Sequence, residues 1–284
     1  MNFLLECLRG IVIGIANAIP GVSGGTMMVS MGIYDKIIGS VTGLFNHFKK
    51  SILTLFPYVI GMAVGIVGLS FGIKFLLGEF PFQTSLLFIG LILGGLPGLT
   101  AHVKKKSLHF SEILIFLVMF VFIIALQYFG ADSGKNMVIT LSVMEVIKLF
   151  FVGVIAAATM VIPGVSGSMV LMILGYYYPI ITLITEFITA VITFNLPEIF
   201  RICGILIPFG IGVLVGIFAI AKLIEMLLKK FETHTYCGIL GLVGASPIVI
   251  LMCNGIPALN FLTILTGAGA FLVGGTIAYF LGRE

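Results

Sequence analysis

Two short stretches hold the residues best able to do chemistry. Residues 20–26 read Pro20-Gly21-Val22-Ser23-Gly24-Gly25-Thr26, and residues 163–168 read Pro163-Gly164-Val165-Ser166-Gly167-Ser168. Each combines a helix-breaking proline with permissive glycines and small hydroxyls. A helix that begins inside such a stretch leaves its first N–H groups unpaired and turns its positive dipole end toward the glycines. Together with the hydroxyls of Ser23, Thr26, Ser166 and Ser168, those N–H groups suit an anion, phosphate above all. Gly21, Gly24, Gly25, Gly164 and Gly167 would let that anion approach the backbone. The competing reading is a tight turn whose small residues serve helix packing. A single copy favours the turn; two near-identical copies favour the anion site.

The surrounding sequence must hold these stretches inside a membrane. Of 284 residues, 60% are hydrophobic and 9% charged, with a mean hydropathy of +1.27. A soluble domain carries about a quarter charged residues, so a soluble enzyme is excluded and an all-α polytopic membrane protein expected. The net charge of +4 comes from lysines in short loops, not from a basic face, which argues against nucleic-acid binding. Cys7, Cys203, Cys237 and Cys253 lack ligand spacing and read as small core hydrophobes. His47, His102, His109 and His234 read as solvated loop residues near lysines, so neither a metal nor a cofactor is expected.

The chain is duplicated. Residues 19–38 match residues 162–181 at ten of twenty positions without a gap, an offset of 143. Pro57, Gly61 and Gly65 recur as Pro208, Gly212 and Gly216 at an offset of 151; these spaced glycines read as helix-packing positions. The units expected are 1–140, with its tip at 20–26, and 141–284, with its tip at 163–168. Full-length apolar runs are expected over 52–77, 84–102, 111–130, 206–228, 236–252 and 261–281.

Lys49, Lys50, Lys104, Lys105, Lys106, Lys229, Lys230 and Arg283 flank alternate span ends on one side, the cytoplasmic side by the positive-inside rule, which puts both termini there. Three spans per unit would invert the second copy relative to the first, as in secondary transporters with a midplane site. The tips then read as re-entrant hairpins entering from opposite faces, the second built from 149–162 and 168–180. Residues 168–196 are also long enough to form a span interrupted at Pro179.

Charged residues near the membrane segments have functional and structural readings. Arg9 and Arg201 are candidate phosphate contacts, and Glu6, Asp35 and Glu145 candidate proton or cation relays. Glu6 with Arg9, and Glu145 with Lys148, read equally as ion pairs one helical turn apart. Lys74 and Lys222 read as snorkelling residues.

The paired A-x-x-I-P-G-V-S-G-[GS] elements, Ala16 to Gly25 and Thr159 to Ser168 with Thr159 in place of alanine, resemble the PopT-type polyprenyl-phosphate transporter family, once catalogued as a domain of unknown function. The resemblance covers the whole chain. It implies a bacterial cytoplasmic-membrane protein that moves undecaprenyl phosphate from the outer to the inner leaflet. Moving a headgroup of about one to two negative charges inward opposes an inside-negative potential by roughly 2.3 kcal/mol per charge per 100 mV, so a companion proton or cation is expected.

Two rivals remain. An ion-coupled carrier of a small soluble anion would use the same half-helix physics. Undecaprenyl-pyrophosphate phosphatases carry a similar P-G-x-S-R-S element, but Gly24 and Gly167 stand where their arginine is expected, which disfavours phosphoryl-transfer chemistry.

Overall fold

In a computed structural model, described over residues 3–18, 22–104, 108–130, 139, 142–255 and 260–282, the regular elements among the described residues are all helices. The first half contributes α1 (Phe3–Ala18), α2 (Gly24–Ser30), α3 (Tyr34–Thr42), α4 (Phe48–Glu79), α5 (Pro81–Lys104) and α6 (Phe110–Gly130). The second contributes α7 (Val143–Val161), α8 (Gly167–Ile173), α9 (Tyr177–Ile192), α10 (Leu196–Lys230), α11 (Glu232–Asn254) and α12 (Phe261–Leu281). Seven of them, α4 to α7 and α10 to α12, are long and apolar enough to cross a membrane, so the chain is a multi-pass membrane protein.

The six expected full-length runs lie within α4, α5, α6, α10, α11 and α12. The helix before the second tip is longer than the half-helix expected at 149–162. Ser142 caps it by accepting from Glu145 N at 3.2 Å, which moves its start back to Val143. The apolar stretch 168–196 breaks at Gly175, not Pro179, and bends by 109°. Gly175 (φ 81°) closes a Schellman turn, its N–H bonding Met172 O while Tyr176 N–H bonds Leu171 O. Pro179 falls in the first turn of α9, where its missing donor costs nothing. Gly32 (φ 67°), 143 residues earlier, closes the matching turn through Val29 O and Met28 O.

The halves interlock. α1 packs on α4 and α7 on α10, while α5 packs on α12 and α6 on α11, so each half's last two spans are paired across the duplication. Close backbone approach makes these pairs. A Cβ on Gly65 would stand 2.5 Å from Ile11 O, and one on Gly216 2.5 Å from Val154 O, so the spaced glycines are packing positions. α5 and α11 are the most enclosed spans and run in opposite directions, since Leu99 near the end of α5 and Tyr236 near the start of α11 line one small cavity.

A buried charge network ties α1, α3 and α12 together. Arg9, 1% exposed, donates from Nε to Leu281 O at 2.9 Å and from Nη1 to Glu6 Oε2 at 3.3 Å. Lys36 Nζ reaches the other Glu6 oxygen at 2.6 Å. The network predicts that Arg9→Ala, which leaves Glu6 with Lys36 as its cation and frees the end of α12, costs about 1.5–3 kcal/mol. Leucine at Gly216, driven into the α7 backbone, should cost about 1–3 kcal/mol. Thermal unfolding in detergent reads both, and an unshifted midpoint for either variant would contradict the corresponding contact.

Candidate functional site

The two tips touch. Gly164 N donates to the buried Thr26 Oγ1 at 2.7 Å, joining residues 138 apart in sequence. A Cβ on Gly25 would lie 3.2 Å from Pro163 Cα and from Val161 O, so the glycine admits the second tip's backbone. Tyr34 OH donates to Val161 O at 3.1 Å and fixes the same junction from the α3 side. Gly164 itself needs glycine twice over: its φ is 83°, and a Cβ would sit 2.6 Å from Leu242 O.

The hydroxyls differ between tips. Ser23 Oγ is buried with no hydrogen-bond partner among the described residues. A buried hydroxyl without a partner costs about 1–3 kcal/mol, so among the described residues Ser23, beside the start of α2, is the tip hydroxyl that a ligand would relieve most. Ser166 Oγ and Ser168 Oγ, 2.9 Å apart, pair with each other. Gly24 N is held by Asn17 Oδ1 at 3.2 Å, whereas at the equivalent place in the second tip Gly167 faces the thioether stem of Met160. Pro20 and Gly21 lie outside the described residues.

The charged candidates stand apart from the tips. Arg9 lies nine residues before the end of α1, about 14 Å along the helix, and is engaged by Glu6 and Leu281 O. Arg201 is at the surface, bonded to Glu198 at 2.9 Å and Glu186 at 3.2 Å. Burial raises the Glu6 carboxyl, but hydrogen bonds from Lys36 and Tyr58 and the charges of Lys36 and Arg9 outweigh it and hold the group below its ordinary value. Glu6 therefore stays ionised near neutral pH, and the stability it lends is lost only as pH falls through that lowered value. Glu145 accepts from Tyr176 OH at 2.8 Å and from Lys148 at 3.3 Å. Asp35 accepts from Tyr236 OH at 2.6 Å and borders, with Tyr34 and Leu99, a cavity of about 190 Å³.

Sequence reasoning missed Asn17, Tyr34 and Met160 as tip neighbours. A lone amide in the apolar run 10–19 was the available signal for Asn17; Tyr34 and Met160 gave none. It also misplaced His234, which is no loop residue. His234 sits in the first turn of α11, its Nε2 3.4 Å from Ser111 Oγ, at the rim of an apolar cavity of about 770 Å³. That cavity runs between α6, α10 and α11 and ends on the second tip at Thr159, Pro163 and Val165. No cluster of three His, Cys, Asp or Glu among the described residues is placed to hold a metal.

A family profile described as VCA0040-like, undecaprenyl phosphate translocase-like, matches residues 13–259. The chain is 30% identical to a polyprenyl-phosphate transporter of Staphylococcus aureus, across 98% of this chain and 96% of that protein. It is 28% identical to a polyprenyl-phosphate transporter of Vibrio cholerae, across 86% of this chain and 76% of the relative. No solved structure matches the chain significantly. Both relatives are named as transporters, not as enzymes. With both tips inside the matched residues and nearly the whole chain covered, this protein belongs to the undecaprenyl phosphate translocase-like family.

Proposed function

We propose that this protein carries undecaprenyl phosphate across the bacterial cytoplasmic membrane, from outer to inner leaflet, and so returns the lipid carrier used in cell-envelope synthesis. The phosphate is held by backbone N–H groups and serine hydroxyls at the two tips, while the tail stays in apolar surroundings. The contact between the tips carries this reading. A Gly164 N–H that bonds Thr26 at 2.7 Å, beside a Ser23 hydroxyl with no partner among the described residues, is a pair of anion-binding surfaces closed on each other. Parting the tips would free that N–H for a phosphate oxygen. The family relationship supports the cargo, since both relatives are named for polyprenyl phosphate.

Inverted repeats, 1–140 and 141–284, each with a re-entrant tip, are the architecture we infer, with α7, although long enough to cross, taken as the first arm of the second hairpin because it packs on α10 as α1 packs on α4. Three observations support it: the matching glycine turns at Gly32 and Gly175, the equivalent pairings α1–α4 and α7–α10, and the opposite directions of α5 and α11. The lysine distribution favours cytoplasmic termini. For inward movement against the potential we assign a proton relay to Asp35. Of the three carboxylates considered, it borders the small cavity between α3, α5 and α11, whereas Glu6 is engaged by two cations and Glu145 by Lys148 and Tyr176.

Ser23→Ala with Ser166→Ala should lower undecaprenyl-phosphate flux in proteoliposomes at least about tenfold, equivalent to about 1.4 kcal/mol, while the protein stays folded and inserted. Leucine at Gly24, directed at the Asn17 amide, should abolish flux. Full rescue by these variants of cells deprived of every other recycling route would overturn the tip assignment. Asp35→Asn should remove stimulation by an imposed pH gradient while Glu145→Gln retains it; flux indifferent to the gradient in the unmodified protein would refute proton coupling.

A further inference from the structure

The large apolar cavity at His234 has a counterpart that the duplication predicts. A second cavity, of about 400 Å³, opens between the end of α4 and the starts of α5 and α12. Its rim residues Leu76, Phe80, Gln83 and Thr84 stand 151 positions before Leu227, Phe231, His234 and Thr235, which line the larger one. The local geometry is the same at both. Phe80 (φ −133°, ψ 53°) and Phe231 (φ −133°, ψ 49°) end α4 and α10, and each accepts from its threonine hydroxyl at 2.8 Å. The polar rim residue then crosses to the neighbouring helix: Gln83 Nε2 donates to Thr266 Oγ1 at 3.1 Å, and His234 Nε2 meets Ser111 Oγ at 3.4 Å.

The two cavities face opposite membrane surfaces. The larger opens where α10 gives way to α11, directly after Lys229 and Lys230; the smaller opens at the end of α5 opposite Lys104. The α10 wall of the larger runs from Ile220 to Phe231, eleven residues or about 16 Å, which is half of a hydrocarbon core about 30 Å thick. Its depth therefore matches one leaflet. Its polar lining is confined to the ends, His234 and Thr235 at the rim and Thr159 at the tip, with an apolar wall between.

We propose that these cavities are paired docking slots for the prenyl chain of the lipid phosphate, one serving each leaflet, and that the Phe-x-x-(Gln/His)-Thr rim marks each mouth. The proposal rests on polyprenyl phosphate being the cargo. The prenyl chain is the occupant because the larger cavity joins a polar rim at His234 and Thr235, an apolar length of one leaflet, and direct continuity with the tip at Pro163 and Val165. Docking the first stretch of tail in the slot sets the height of the phosphate relative to the tip, which a freely dissolved tail would not do.

Gly238 offers the test. It lines the larger slot, and a Cβ there meets Ile115 Cγ2 at an ordinary 3.4 Å, so Gly238→Ala fits while Gly238→Leu fills the slot. Proteoliposome flux is measured for undecaprenyl phosphate, with thermal unfolding as the check on folding. Gly238→Leu should cut flux about tenfold, the worth of one or two lost methylene contacts, at an unchanged unfolding midpoint, and Gly238→Ala should lose less. A diazirine on the prenyl chain should label α6, α10 or α11 of the unmodified protein, be competed by unlabelled undecaprenyl phosphate, and label Gly238→Leu less. Undiminished flux or labelling in Gly238→Leu, or equal labelling by diazirine phosphatidylcholine, would overturn the slot. Failure of the unmodified protein to move undecaprenyl phosphate would instead overturn the cargo reading, and the slots with it.

Discussion

The hydrogen bond from Gly164 N to Thr26 Oγ1 answers the constraint on which the rest of the structure depends. Backbone that leaves its helix where it is buried loses water as a partner, and each unsatisfied group there costs several kcal/mol; Thr26 is fully buried. The protein satisfies one broken segment with the other. That solution requires both tips at one place, and so requires the two halves to be brought together with their tips in contact. The glycine at position 25, against Pro163, and the glycine at 164, against Leu242 O, are what allow backbones to come so close.

The interlocked spans follow from the same requirement. If each half packed only on itself, nothing would fix one tip against the other. Pairing α5 with α12 and α6 with α11 places the last two spans of each half in the other's frame, and the close glycine contacts on α5, α11 and α12 make those pairs tight without a hydrophobic drive between helices in lipid. The network of Arg9, Glu6 and Lys36 performs a related task at the lysine side, where it holds the end of α12 to α1 and α3. Fixed cations are thereby kept away from the tips. The phosphate site proposed at the tips would then rest on N–H groups and hydroxyls, which bind an anion without a full counter-charge and so allow its release.

The two halves are alike in backbone and unlike in polarity. Asn17 holds Gly24 N in the first tip where Met160 lies beside Gly167 in the second, and the rim glutamine of one lateral cavity is a histidine in the other. A duplicated frame with different side chains at equivalent points gives two similar but inequivalent surfaces, as the proposed movement between two different leaflets requires.

Much of this was legible in the chain. The membrane class followed from hydropathy, the duplication from the two copies of Ile-Pro-Gly-Val-Ser-Gly, and the packing role of Gly61, Gly65, Gly212 and Gly216 from their spacing, because these features are local or strictly periodic. Boundaries were less so: Gly175, not Pro179, ends the helix, since a proline in a first turn breaks nothing and a glycine with positive φ does. What only the tertiary structure decided was pairing. Apolar helices of similar length are nearly interchangeable to lipid, so nothing in their composition says that α5 meets α12, that Thr26 meets Gly164, or that His234 rims a cavity. Those choices belong to close backbone contacts between residues far apart in sequence, and they become visible only when the helices are set side by side.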